Sequence, residues 1–243
     1  MVDSQSFHDV ALHEKDERFR YLLKHGELRR VEKGGNIIFA ELPQIPNVWV
    51  CYRRPVEREA SLEKLNLDGL ELGHVPLLEG EEKLKMLTFQ HNKMTKIENL
   101  ISLPNLLYLD LQGNQVKDIE NIHGLTSLKV LLLSKNQISR VRNINDLAKL
   151  EVLDLHSNRL QKMEGFGLLN SLRILNLSHN QILKIENLET LSSLNELNLK
   201  SNLITSVEGL QKLQKLEKLF LSNNRVEIKQ FEQCELAKMQ TLK

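Results

Sequence analysis

Cysteine is scarce in this chain. Cys51 and Cys234 are the two in 243 residues, and neither sits in a cluster that would staple an end or hold a metal. Secreted scaffolds built from small units usually carry cysteine-rich ends, so a reducing compartment, the cytoplasm, is expected. An excess of charge of one sign is also missing. With 33 basic and 32 acidic residues the formal net charge is +1, which argues against a partner held through phosphate contacts; nucleic acid is not expected. Long apolar runs are absent too, and the first 23 residues interleave acids with apolar side chains, so neither a membrane span nor a secretory signal is expected. No GxxxxGK[ST] loop occurs, and the eight histidines do not pair with cysteines at zinc spacing. No cofactor, no metal and no enzymatic activity are therefore expected.

What the chain does have is a column of asparagines. Asn92, Asn114, Asn136, Asn158, Asn180, Asn202 and Asn224 follow one another at an unbroken spacing of 22 residues, and each closes the frame LxxLxLxxN, as in LLYLDLQGN ending at Asn114. Period, register and residue type agree, which composition alone cannot produce. The pattern predicts an α/β leucine-rich-repeat solenoid, with a curved parallel sheet on the concave face and short 3₁₀, helical or irregular segments on the convex one. Each repeat enters a short strand and then turns sharply. The ladder asparagine is expected to be buried and to hydrogen-bond backbone groups that the turn leaves unpaired, at about 1–3 kcal/mol per site if lost.

Taken in order, the chain reads as three parts. Residues 1–60 lie outside the frame. Between Glu14 and Lys33 apolar residues recur at roughly helical spacing, with an interruption near Gly26, and Ile37–Phe39 and Val48–Val50 read as two short strands around a proline-containing turn. A cap is the expected role, because a stacked array exposes the apolar face of its first unit. The alternative is a docking surface built on Trp49, Tyr52, Arg53 and Arg54. Residues 61–226 form about eight units. The first is atypical, with Leu70 where the asparagine would stand, and the seven that follow start at Leu84, Leu106, Leu128, Leu150, Leu172, Leu194 and Leu216. In their second halves apolar residues recur by threes, as at Ile138, Val141, Ile144 and Leu147, which suits a short 3₁₀ or single-turn segment. Residues 227–243 read as a tail or incomplete cap, and the chain as a fragment or truncated form.

Because side chains alternate along a strand, the third, fifth and seventh positions of the frame face away from the leucine core. They place Met86, Tyr108, Val130, Leu132, Val152 and Ile174 in one apolar strip, with Phe220 further along, rimmed by Asp110, Asp154, His156, Glu196 and Lys200. Eight strands about 4.8 Å apart make a face roughly 34 Å wide, which suits a protein partner. Apolar patches with polar rims mark interaction sites, and Met86, Tyr108 and Leu132 are not accounted for by β-branching. The competing account is that β-branched residues on a sheet shield one another. Asp110 and Asp154 share a column two repeats apart, about 9.6 Å at the strand spacing, and no nucleophile stands beside them. A rim selecting a polar or basic partner is the simpler reading.

The frame, with KIENL at Lys96–Leu100 and again at Lys184–Leu188, resembles the intracellular repeats typified by the leucine-rich regulatory subunit of protein phosphatase 1. Leu78–Leu100, Leu128–Ile138 and Leu150–Glu164 are similar to the leucine-rich-repeat subunits of tubulin polyglutamylase complexes. That resemblance implies a non-catalytic scaffold at microtubules, centrosomes or cilia, whose partners are subunits of a tubulin ligase complex or the microtubule itself. A regulatory subunit of a phosphatase and a structural axonemal protein are the alternatives.

Overall fold

The computed structural model describes residues 27–30, 37–41, 48–53, 55–78 and 80–226. Two compact units divide the chain: Met1–Leu62 with Pro76–Gly80, and Glu63–Val75 with Glu81–Lys243.

In the first unit three antiparallel strands pair in the order β1 (Glu27–Arg30), β2 (Ile37–Glu41) and β3 (Trp49–Arg53). The two strands read from the sequence are β2 and β3, each a little longer than expected. The expected helix over residues 14–33 is corrected in its last part. Residues 27–30 are strand, because Leu28 and Arg30 pair with Ala40 and Ile38 of β2 and this pairing overrides a weak helical spacing. The remainder of that helix lies outside the described residues. A six-residue helix, α1 (Pro55–Ala60), opens on proline, which suits a first helical position. The carbonyl of Ser61, just past its end, accepts a hydrogen bond from buried Arg53 at 2.7 Å. Phe39, Val50, Cys51 and Tyr52 are buried.

The second unit is the repeat array. Eight three-residue strands, β4 (Lys64–Asn66), β5 (Met86–Thr88), β6 (Tyr108–Asp110), β7 (Val130–Leu132), β8 (Val152–Asp154), β9 (Ile174–Asn176), β10 (Glu196–Asn198) and β11 (Lys218–Phe220), form one parallel sheet in chain order. Every strand pairs with the next at an offset of 22 residues, as in Tyr108↔Val130. The fold class is the one expected. Its core consists of columns: Leu106, Leu109 and Leu111, and their equivalents one turn on at Leu128, Leu131 and Leu133, have no exposed surface. Cutting Leu153 back to alanine removes burial and leaves a cavity, at about 2–5 kcal/mol.

The outer side has a different form from a 3₁₀ helix. Leu103 donates to the Leu100 carbonyl at 3.1 Å and Leu106 to that of Leu103 at 3.2 Å, and the same two bonds recur in later repeats. Two separate turns placed end to end explain the apolar spacing by three, since each buries its first and last side chain. No 3₁₀ run forms among the described residues of the array.

Candidate functional site: the sheet face and its two edges

Each turn leaves its strand through a residue of positive φ, and the ladder asparagine follows at once. The column Gly69, His91, Gly113, Lys135, Ser157, His179, Ser201 and Asn223 has φ between 54° and 71°. A left-handed residue with a side chain costs about 1–2 kcal/mol, so something must hold the turn. The asparagine does. Nδ2 of Asn136 donates to the carbonyls of Leu111 at 2.9 Å and Leu133 at 3.1 Å, while its Oδ1 accepts from Val116 N at 2.9 Å. Asn114, Asn158, Asn180, Asn202 and Asn224 repeat the arrangement, and Asn92 accepts from Leu70 N and Leu72 N. One of the two carbonyls and the N–H always belong to the turn before. The bonds run backward, so the first turn can carry Leu70.

A second column was not singled out by the sequence reading. Asn99, Asn121, Asn143 and Asn187 have φ of 57–61° and donate to the carbonyls of Val75, Ile97, Ile119 and Met163 at 2.7–2.9 Å. Gly165 and Gly209 complete it, at φ of 83° and 78°. The signal was the same spacing of 22, hidden by two glycines.

On the sheet face the third-position side chains Met86, Tyr108, Val130, Val152 and Ile174 are direct cross-strand neighbours, so the apolar strip is continuous. The first four are half-buried and Ile174 is exposed. Leu132 lies half-buried between Asp110 and Asp154, and Phe220 is 43% exposed on the last strand. The fifth column serves the fold. Asn66, Asp110, Asp154, Asn176 and Asn198 each accept a hydrogen bond from the backbone N–H two residues on, at 2.9–3.2 Å, which closes the end of the strand. Leu132 and Phe220 stand in that column and cannot do this.

Asp110 departs from the rim position expected for it. It is 1% exposed, and its carboxylate accepts from Gln90 Nε2 at 2.7 Å, Gln112 N at 3.0 Å and the Tyr108 hydroxyl at 3.3 Å. Alternation along the strand does aim it outward, but long neighbours close over it. Burial first, then the charge of Asp110 and its hydrogen bond, raise the Tyr108 phenol above its usual value, so the hydroxyl stays a neutral donor. Asp110 therefore positions Tyr108. Asp154 holds the ring of His156 at 3.0 Å, and both are partly exposed. Of the alternative docking surface in the first unit, Tyr52 and Arg53 are buried. Among the described residues no group of three or more His, Cys, Asp or Glu is placed to hold a metal ion, and no helix is long and apolar enough to cross a membrane.

Short parallel strands in 22-residue register, closed by an asparagine ladder, define a repeat scaffold. The chain belongs to the leucine-rich-repeat family: the family described as "Leucine Rich repeats (2 copies)" matches residues 82–122, 126–167 and 170–212, more than half of its length. Among curated proteins, Leucine-rich repeat-containing protein 49 of Mus musculus is 39% identical over 73 residues, 30% of this chain, and its Homo sapiens counterpart 39% identical over 72 residues. The match spans a tenth (10%) of the length of each of those relatives. Among solved structures, an internalin (inlF) from Listeria monocytogenes aligns with a TM-score of 0.65 at 27% identity, over 74% of this chain and 53% of that one. Internalin C2 from the same organism aligns at 0.63 and 29% identity, over 73% and 77%.

Proposed function

We propose that the chain is a non-catalytic scaffold that docks a protein on the sheet face, through Met86, Tyr108, Val130, Leu132, Val152 and Ile174, with Asp154, His156 and Phe220 at the margins. One observation carries this reading. The fifth column spends its polar side chains on closing strands, whereas nothing in the fold requires the third column to be apolar, and it is a continuous apolar strip. Leu132 strengthens the point, since it occupies a strand-closing position at the middle of the strip. Asp110 contributes by fixing Tyr108, not by meeting the partner.

The partner we favour is a subunit of a tubulin polyglutamylase or of a related microtubule assembly, which would place the chain at the cytoskeleton. The support is the resemblance of Leu78–Leu100, Leu128–Ile138 and Leu150–Glu164 to such subunits. A phosphatase regulatory subunit is the second reading, supported by the KIENL phrases. Affinity purification of the tagged chain from ciliated cells, read by quantitative mass spectrometry, separates them. Recovery of a tubulin-glutamate ligase supports the first, recovery of a phosphatase catalytic subunit moves the function to the second, and recovery of neither removes both.

A further inference from the structure

The two edges of the sheet differ in how their charges are spent. On the edge where the chain enters the strands, ions pair across neighbouring turns: Lys85 with Glu63 at 2.6 Å and Lys129 with Glu151 at 2.7 Å. The Lys129 bond and charge, with a contribution from Arg173, lower the pKa of Glu151. On the edge where the chain leaves the strands, at positions seven to ten of the frame, the seven turns from Gln90 onward contain no Asp or Glu at all. Those positions hold the cations Lys135, Arg159, Lys200 and Arg225 in four of the last five turns and the imidazole of His179 in the fifth, all exposed. None of these five has an ion pair among the described residues. A chain whose net charge is +1 thus keeps, along one border of its apolar sheet face, a row of four cations without an ion pair among the described residues: Lys135, Arg159, Lys200 and Arg225.

We propose that this row binds an extended acidic segment of a polypeptide. Neighbouring turns rise by about 4.8 Å and alternate residues of an extended chain lie about 6.6 Å apart, so some six to eight residues with recurring carboxylates cover the five turns, over which the basic side chains stand at positions seven, eight and ten of the frame. The complementarity is with carboxylates of a single strand. Outward of the row, Arg140, Lys162 and Lys184 at position thirteen are followed by Glu164, Glu186 and Glu208 at position fifteen, half-buried or exposed, so the outer flank is of mixed sign where the second flank of a nucleic-acid backbone would need cations throughout. Stacking platforms for successive bases are also missing on the sheet face, where Tyr108 on β6 and Phe220 on β11 stand five strands apart. The chain's own last segment is a poor occupant, since residues 227–243 carry Glu227, Glu232 and Glu235 against Lys229, Lys238 and Lys243. The proposal stands beside the sheet-face reading and does not depend on it, because its ligand needs no apolar anchor.

The test is fluorescence anisotropy on the full chain with a labelled peptide of about eight residues alternating Glu and Ser. Its Gln counterpart and a thymidine oligonucleotide of similar length serve as competing probes. Two double variants of equal charge change are compared: Arg159→Glu with Lys200→Glu on the exit edge, and Arg173→Glu with Lys215→Glu on the entry edge, each checked for an unchanged melting curve. The expected result is binding of the Glu peptide alone, weakened on going from low salt to about 150 mM. The exit-edge variant should lose about tenfold or more and the entry-edge variant less than about twofold. Equal losses in the two variants, equal binding of the Gln peptide, no binding at low salt, or tighter binding of the oligonucleotide would each overturn the proposal. Loss of protein capture through Tyr108 or Leu132 would leave this result untouched, so the two readings fail separately.

Discussion

Two columns of asparagine run along the array, and they tolerate different things. In the ladder column every one of the seven members is asparagine, while in the second column glycine stands at Gly165 and Gly209. The difference follows from the bonds. A ladder residue must donate to two carbonyls and accept from an N–H at the same time, and the carboxamide is the neutral side chain that does both at this length. A second-column residue makes one bond, to a carbonyl of the turn before, and its first requirement is a left-handed backbone. Glycine meets that requirement without a side chain. Between these two columns the constraint thus scales with the number of backbone groups the side chain must satisfy.

Substitutions along the two columns sharpen or break this account, and urea denaturation reads them all. Asn136→Ala orphans the Val116 N–H and two carbonyls and should destabilise by about 3 kcal/mol or more; a loss comparable to that at Asn143 would remove the distinction. Gly165→Ala comes next, at about 2 kcal/mol, because the backbone is left-handed and a Cβ would lie 2.3 Å from the Val141 carbonyl oxygen. Asn143→Gly keeps the backbone and gives up the bond to Ile119, so about 1 kcal/mol is expected. Gly209→Asn should be neutral or stabilise by about 0.5 kcal/mol, since a Cβ there would stand 3.7 Å from the Ile185 carbonyl oxygen, the acceptor that this column uses. A cost at Gly209 as large as that at Gly165 would show that backbone shape alone governs the column.

The columns that need one residue type were legible in the sequence, and those that accept substitutes were not. The ladder, the strand register and the leucines at 0% exposure could be read from spacing, because burial and hydrogen bonding admit few alternatives there. The second column was hidden because Gly165 and Gly209 satisfy its backbone without resembling asparagine. Asp110 was legible in direction but not in burial, which depends on how Gln90 and Tyr108 lie across strands. The strand at Glu27–Arg30 could not be read from its own four residues, since its pairing with β2 decides its form. On the candidate site, the apolar strip could be read as a column, whereas the closing of strands by Asp110 and Asp154 needed the backbone positions.

The central claim is that inward columns carry the fold and the third column, with Leu132, carries binding. Its most direct test is one protein, Tyr108→Arg with Leu132→Arg, measured in parallel for melting and for capture of the partner that the unaltered chain retains. Arginine is chosen because the Asp110 carboxylate beside both positions can accommodate the new charge. The account predicts a melting temperature within about 4 °C of the unaltered chain, equivalent to about 1 kcal/mol or less, and loss of the partner. Collapse of the melting transition would make these side chains part of the core, and retention of the partner would move the binding surface elsewhere.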